Sequence, residues 1–239
     1  MKKLFLIQIF AICLFVFHSS SIHAQPDSVL KVSYVSGYLS PSMTSVLREK
    51  VPSEEQFQLL VDNISQYKIF YDLYIDIKSH VSVFLVDSVV SKPGVSVTGQ
   101  VEYTYAEADG SFRGEEVFMG ERATFGGMTK FFKWDIESEI SDLHGKKCRK
   151  AKLSDYPYVT VWFTQDIPVS KGPAYYLGLP GLVVSAVDFY MTYELCEIEF
   201  VKLTPEIETL FKDYAVDSHL EYDILDLLNA KDRVSASLK

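Results

Sequence analysis

Cysteine and histidine are scarce in this chain. Three cysteines and five histidines are spread over 239 residues. No two cysteines form a CxxC pair, so redox catalysis and a structural zinc have no sequence support. His18 and His23 lie in the N-terminal leader. His80, His144 and His219 are far apart, and none has a histidine at the helical ligand spacing. The chain has no GxSxG elbow and no basic stripe. With a net charge of −9, it is not expected to bind nucleic acid. After residue 24 there is no apolar run long enough to span a membrane. None of these absences leaves a cofactor or a metal implied.

A leader is present. Lys2 and Lys3 precede an apolar run from Leu4 to Phe17, and a short polar stretch ends in a small residue, Ala24. This order is that of a secretory signal peptide cleaved between Ala24 and Gln25. Removing residues 1–24 leaves 215 residues at net charge −11, because two lysines and no acid depart with the leader. The rest, 25–239, reads as a single domain, periplasmic or secreted and not integral to a membrane. Export makes a bridge between Cys148 and Cys196 chemically allowed. The two are either bridged or two buried thiols, and spacing does not decide which.

Strand patterns dominate the remainder. Alternation predicts strands near 29–39, in 70–78 and 82–90, and in the segment closed by Asp109-Gly110. Pro41 ends the first, and 92–95 is a turn signal. Residues 109–129, rich in glycine and charge, are expected to be a loop. Further strands follow around Trp134, Cys148 and Trp162, and two more form a hairpin around "DFYM". Ser53 and Gln56 form a capping box for a helix over about 53–65. Thr204 and Pro205 open another helix. C-terminal helices cover about 205–230, and the tail after Asp232 is expected to fray. Helices do not alternate regularly with strands, which argues against a parallel sheet and favours antiparallel pairing. The fold expected is α+β and mainly β: a curved antiparallel sheet, half-barrel in the manner of lipoprotein carriers, with helices packed on it.

Acidic pairs such as Glu197/Glu199 fit a solvated strand face better than a glycosidase pair. The aromatics either fill an ordinary core, the more common outcome, or line a sheet that holds an apolar ligand, with Phe70, Tyr74, Trp134 and Trp162 as the lining expected in that case.

The stretch from Ser170 to Asp188, "SKGPAYYLGLPGLVVSAVD", is not a phosphate loop. Pro173 and Pro180 lack N–H groups, and no Walker-type lysine follows. Leu179-Pro180-Gly181-Leu182 suits a type II turn with positive φ at Gly181, while Gly178 allows close backbone approach. The core Gly178-Leu179-Pro180-Gly181-Leu182-Val183, with Ile167-Pro168 and Gly172-Pro173 upstream, resembles the signature of the GLPGLI family. The resemblance is strong over about 130–188. It implies an exported protein of Gram-negative bacteria and carries no known reaction. The expectation is therefore an envelope protein that binds a lipid, another apolar ligand or an envelope partner. The alternative is a hydrolase using carboxylates in the 109–129 or 165–180 loops.

Overall fold

Along Ser28–Gly37 (β1) the side chains alternate between two faces. Leu30, Val32, Tyr34 and Ser36 are buried, while Lys31, Ser33 and Val35 turn the other way. The same parity passes to the neighbouring strand, where Leu73, Tyr71 and Ile69 stand opposite Val32, Tyr34 and Ser36. One face of the sheet is thereby committed to the core.

A computed structural model describes residues 27–90, 98–215 and 220–238. The leader expected at 1–24, the turn expected at 92–95 and His219 lie outside them. After β1 come helices α1 (Pro41–Lys50) and α2 (Glu54–Ser65), then strands β2 (Lys68–Ile75), β3 (Ser82–Val90), β4 (Gln100–Ala106), β5 (Ser111–Phe118) and β6 (Glu121–Met128). Strands β7 (Trp134–Leu143), β8 (Lys146–Leu153), β9 (Tyr156–Thr164), β10 (Leu182–Val187) and β11 (Thr192–Lys202) follow. Helix α3 (Pro205–Tyr214), the two-residue β12 (Tyr222–Asp223) and α4 (Ile224–Leu238) close the chain. Among the described residues the strands form one sheet in the order β12-β6-β5-β4-β3-β2-β1-β11-β10-β9-β8-β7. It is an open curved sheet, antiparallel except where β12 meets β6. The mainly β, antiparallel expectation holds.

The inner face is filled from two sources. Ile224, Leu227 and Leu228 of α4 are buried there, and so are Tyr175, Tyr176, Leu177 and Leu179 from the long β9–β10 connection. The Tyr71 ring stacks on Phe84 at 4.5 Å, and Tyr176 meets Tyr193 edge-on at 6.0 Å. Helix α3 lies on the outer face, where Tyr214 meets Tyr103 at 4.7 Å.

Five expectations are corrected. First, residues 109–129 are not a loop: they form the β5–β6 hairpin. Glycines that suggested a loop are there for packing. A Cβ on Gly114 would fall 2.6 Å from the Phe125 ring, and one on Gly127 would fall 2.5 Å from Ile224. Second, Pro41 does not merely end a strand. It starts α1, with Ser40 as cap accepting from the Met43 N–H at 3.1 Å.

Third, the tail after Asp232 is not frayed. It continues α4 as helix, with Ser235 buried. Fourth, Cys148 and Cys196 are not bridged; Cys148 is buried and Cys196 exposed, both as free thiols. Cys148 faces Thr164 of β9, Thr164 faces Leu182 of β10, and Cys196 lies one strand further on. Three strand spacings of about 4.8 Å exceed the ~7 Å a disulfide spans.

The fifth correction exchanges two glycines. Gly178 has the positive φ, +87°, and Gly181 does not. Gly181 instead sits against β9, where a Cβ would overlap the Thr164 carbonyl. The residue required by backbone conformation is Gly178, and the one required by close approach is Gly181.

Candidate functional site

The inner face is open at one end of β1 and β11. Leu30 and Phe200 are cross-strand partners there, and Ile198 faces Val32 two residues along. Ile77, just beyond β2, and Ile167, Pro168 and Val169 of the β9–β10 connection close around them. Together these seven line an apolar cavity of about 620 Å³, with His80, Lys146 and Asp166 at its margins. The connection is pinned at this point by hydrogen bonds from the Leu182 N–H to Ile167 O (3.0 Å) and from the Val183 N–H to Lys171 O (3.0 Å).

A second cavity, of about 450 Å³, adjoins it and shares His80, Pro168 and Val169. Its other walls are mostly polar: Glu107, Asp109 and Gly110 of the β4–β5 turn, Thr129, Ser170, Lys171 and Gly178, with Ile75 and Ala108 between them. His80 belongs to a tight turn after β2, held by its N–H bonding to Asp76 O at 2.8 Å, and has a φ of +59°. The two cavities form one cleft with an apolar end and a polar end.

Lys171 is the unusual group in this cleft. It is 9% exposed. Its Nζ donates to Ala106 O at 3.4 Å and Glu107 O at 3.3 Å, both backbone carbonyls. Burial pushes it down to about 8, against the charges of Glu107 and Asp109, which favour the ammonium. The Asp109 carboxylate is engaged by the Ser111 hydroxyl at 2.7 Å and the Ser111 N–H at 2.8 Å, and these bonds lower its pKa.

A second polar group is sealed in the core. Lys231 of α4 donates to Glu116 of β5 and to the Tyr175 hydroxyl, each at 2.7 Å. Burial works against the Lys231 charge, but Glu116, Tyr175 and Asp188 hold the proton on. Burial raises the Glu116 carboxyl, and Lys231 opposes that. Nearby, the Tyr176 hydroxyl donates to Asp188 at 2.7 Å, which also accepts from the Tyr190 and Met191 N–H groups. This network ties α4, the hairpin and the signature stretch together.

The expected site residues separate into groups. Ile167 and Pro168 line the apolar cavity, and Gly178 the polar one. Gly172, Pro173, Leu179, Gly181 and Leu182 are buried, and Pro180 is exposed. The four aromatics are not brought together, which corrects the expected lining. Phe70 and Tyr74 share the outer face of β2 with Asp72, which pairs with Lys31 at 3.0 Å. Trp162 lies under Lys150 at 5.6 Å. Trp134 donates its indole N–H to Leu177 O at 3.0 Å, bracing the connection. Alternation along β2 places Phe70 and Tyr74 with Asp72 and away from Ile69, Tyr71 and Leu73; reading their parity against β1 would have found this.

The carboxylates that a hydrolase would need are dispersed. Asp109 lines one cavity and Asp166 the other, Glu115 pairs with Arg122 at 2.8 Å, and Glu116 is buried against Lys231. Sequence reasoning set His80 aside as a metal ligand and gave no site role to Lys171, Ile198 or Phe200. Lys171 stood in the signature stretch, but its burial depends on the β4–β5 turn, 64 residues away. Among the described residues no cluster suits a metal ion, and no helix is long and apolar enough to cross a membrane.

Fold and cleft define the class: a mainly β protein whose open, curved sheet ends in a cleft with one apolar and one polar end. Residues 119–185, from the β5–β6 turn into β10, match the family model Porph_ging, a protein of unknown function. No curated protein matches the sequence. Two solved structures of PNGF-II, in C2 and P21 space groups, are similar at 15% identity and a TM-score of 0.46. The match covers 84% of this chain and 32% of that one, so this chain spans about a third of PNGF-II's length.

Proposed function

We propose that this is an exported cell-envelope protein of the GLPGLI type that binds an apolar molecule in the cleft without turning it over. The observation that carries the reading is the apolar cavity of about 620 Å³ beneath Ile167 and Pro168. Its size is in the range of small-molecule sites, and it has an apolar wall with a few polar groups at one end. The leader supports export, and the Gly178–Val183 core supports the family assignment. The segment that carries the signature then has two jobs. Its buried half, around Tyr175 to Leu179, completes the core. Its outer half, Ile167 to Lys171, forms the wall of the cleft.

Native mass spectrometry of the protein purified from its own host tests this. The expected result is a co-purifying apolar molecule, lost when Phe200 is changed to Glu. Repeated recovery of ligand-free protein that also takes up no added apolar probe would overturn the reading.

A further inference from the structure

We infer that Lys171 captures an aldehyde-bearing apolar molecule as a reversible imine at the polar end of the cleft. This rests on the cleft reading above and adds the chemistry of the ligand's head.

The hydrogen-bond geometry fits the neutral amine. Lys171 Nζ meets two backbone carbonyls, at 3.4 and 3.3 Å, and no carboxylate among the described residues lies within ion-pair distance. Both contacts are longer than the ~2.7–2.9 Å of charge-assisted bonds. An ammonium has three hydrogens to place, and a neutral amine has two. Two carbonyls satisfy the neutral form and leave its lone pair for a reacting carbon. Burial favours that same form, since desolvation opposes the charge.

The surroundings select the electrophile. Glu107 and Asp109 line the polar cavity alongside Lys171 and His80, so its fixed charges disfavour a free carboxylate or phosphate. A carbonyl carries no charge. The adjoining apolar cavity, reached past Pro168 and Val169, takes an alkyl chain.

The step needs no oxidant or reductant. The amine lone pair attacks the carbonyl carbon, and the C=O π pair moves to oxygen. Solvent water relays the nitrogen proton to that oxygen, giving a carbinolamine. Water protonates its hydroxyl, which departs as water while the nitrogen lone pair forms the C=N bond, and the resulting iminium returns a proton to solvent to leave the imine. Hydrolysis reverses the sequence.

The test treats the full chain with decanal and cyanoborohydride at pH 7, then maps adducts by peptide mass spectrometry. Displacement of a naphthylamine probe by decanol is measured in parallel. The expected result is one dominant adduct at Lys171, exceeding any other lysine by roughly tenfold or more, since an amine near 8 is far less protonated than an ordinary one. Prior addition of decanol suppresses it, and Lys171→Met lacks it. Adducts distributed over exposed lysines, with Lys171 no higher, overturn the imine while decanol displacement leaves the cleft reading standing. No displacement and no adduct overturn both. Suppression by decanol is read on the wild-type chain, so the test survives a poorly folding variant.

Discussion

Gly181 and Lys171 sit ten residues apart and answer to different forces. Gly181 packs against the Thr164 carbonyl, so even a methyl group must displace backbone. Gly181→Ala is expected to cost about 2–4 kcal/mol, within the range of overpacked or strained core changes, and urea denaturation measures it. Gly178→Ala acts through its φ of +87° and should cost less, about 1–2 kcal/mol. For Lys171 the consequence is a pH dependence. Its folded pKa, about 8, lies below the 10.5 of a free lysine. Between these values the unfolded chain still holds a proton that the folded chain has released, so this residue makes stability rise with pH across that window. At pH 7 its burial costs on the order of 3 kcal/mol. Thermal melts of wild type and Lys171→Met should therefore differ most near pH 7, the variant being more stable, and converge towards pH 10.5.

Among the elements, α4 decides whether the inner face is complete. Lys231 and Glu116 are essentially inaccessible, at 4% and 0% side-chain exposure. Removing one partner strands the other charge, so Lys231→Ala is expected to cost about 3–5 kcal/mol by chemical denaturation. The double change Lys231→Met with Glu116→Gln should recover most of that loss, because no uncompensated charge remains. A double variant as unstable as the single one would remove the ion pair from the account. This element also shows where sequence reading stops. "DRVSASLK" is polar and ends the chain, which is the usual description of a frayed tail. Burial of Lys231 is decided by a carboxylate 115 residues earlier. The hairpin at 111–128 was hidden differently. Gly114, Gly126 and Gly127 suggest a loop, yet Phe125, Leu220 and Ile224 occupy the space their side chains would fill. The signals for α1 are local, Ser40 as cap and Pro41 as first helical residue, but a proline after a strand also reads as the strand's end, and that reading hid the helix.

Across the whole molecule, the alternation of β1 and β2, with the β-prone runs such as β9, was enough to read an antiparallel, mainly β fold. It did not identify which aromatics face inward, because that depends on pairing register. The inner face is instead built on tyrosine. Tyr34, Tyr71, Tyr176 and Tyr193 are fully buried, and burial raises all four hydroxyls well above their ordinary value. A folded pKa above the unfolded one means their contribution is complete below about pH 10 and lost as pH rises beyond it. Alkaline titration followed at the tyrosinate absorbance should show these four ionising only together with unfolding. A gradual titration in the folded state would contradict their burial.

The cleft is the central claim, and its apolar end is the simplest part to challenge. Phe200 and Ile198 line it from β11 and are only partly buried, so a charge there need not disturb the core. The decisive measurement is a fluorescence titration of a naphthylamine probe into wild type and Ile198→Glu, with melting temperatures taken alongside. Saturable binding by wild type, reduced tenfold or more in a variant that melts within a few degrees of it, is the result predicted. Equal binding by both proteins, or none by wild type, would contradict it.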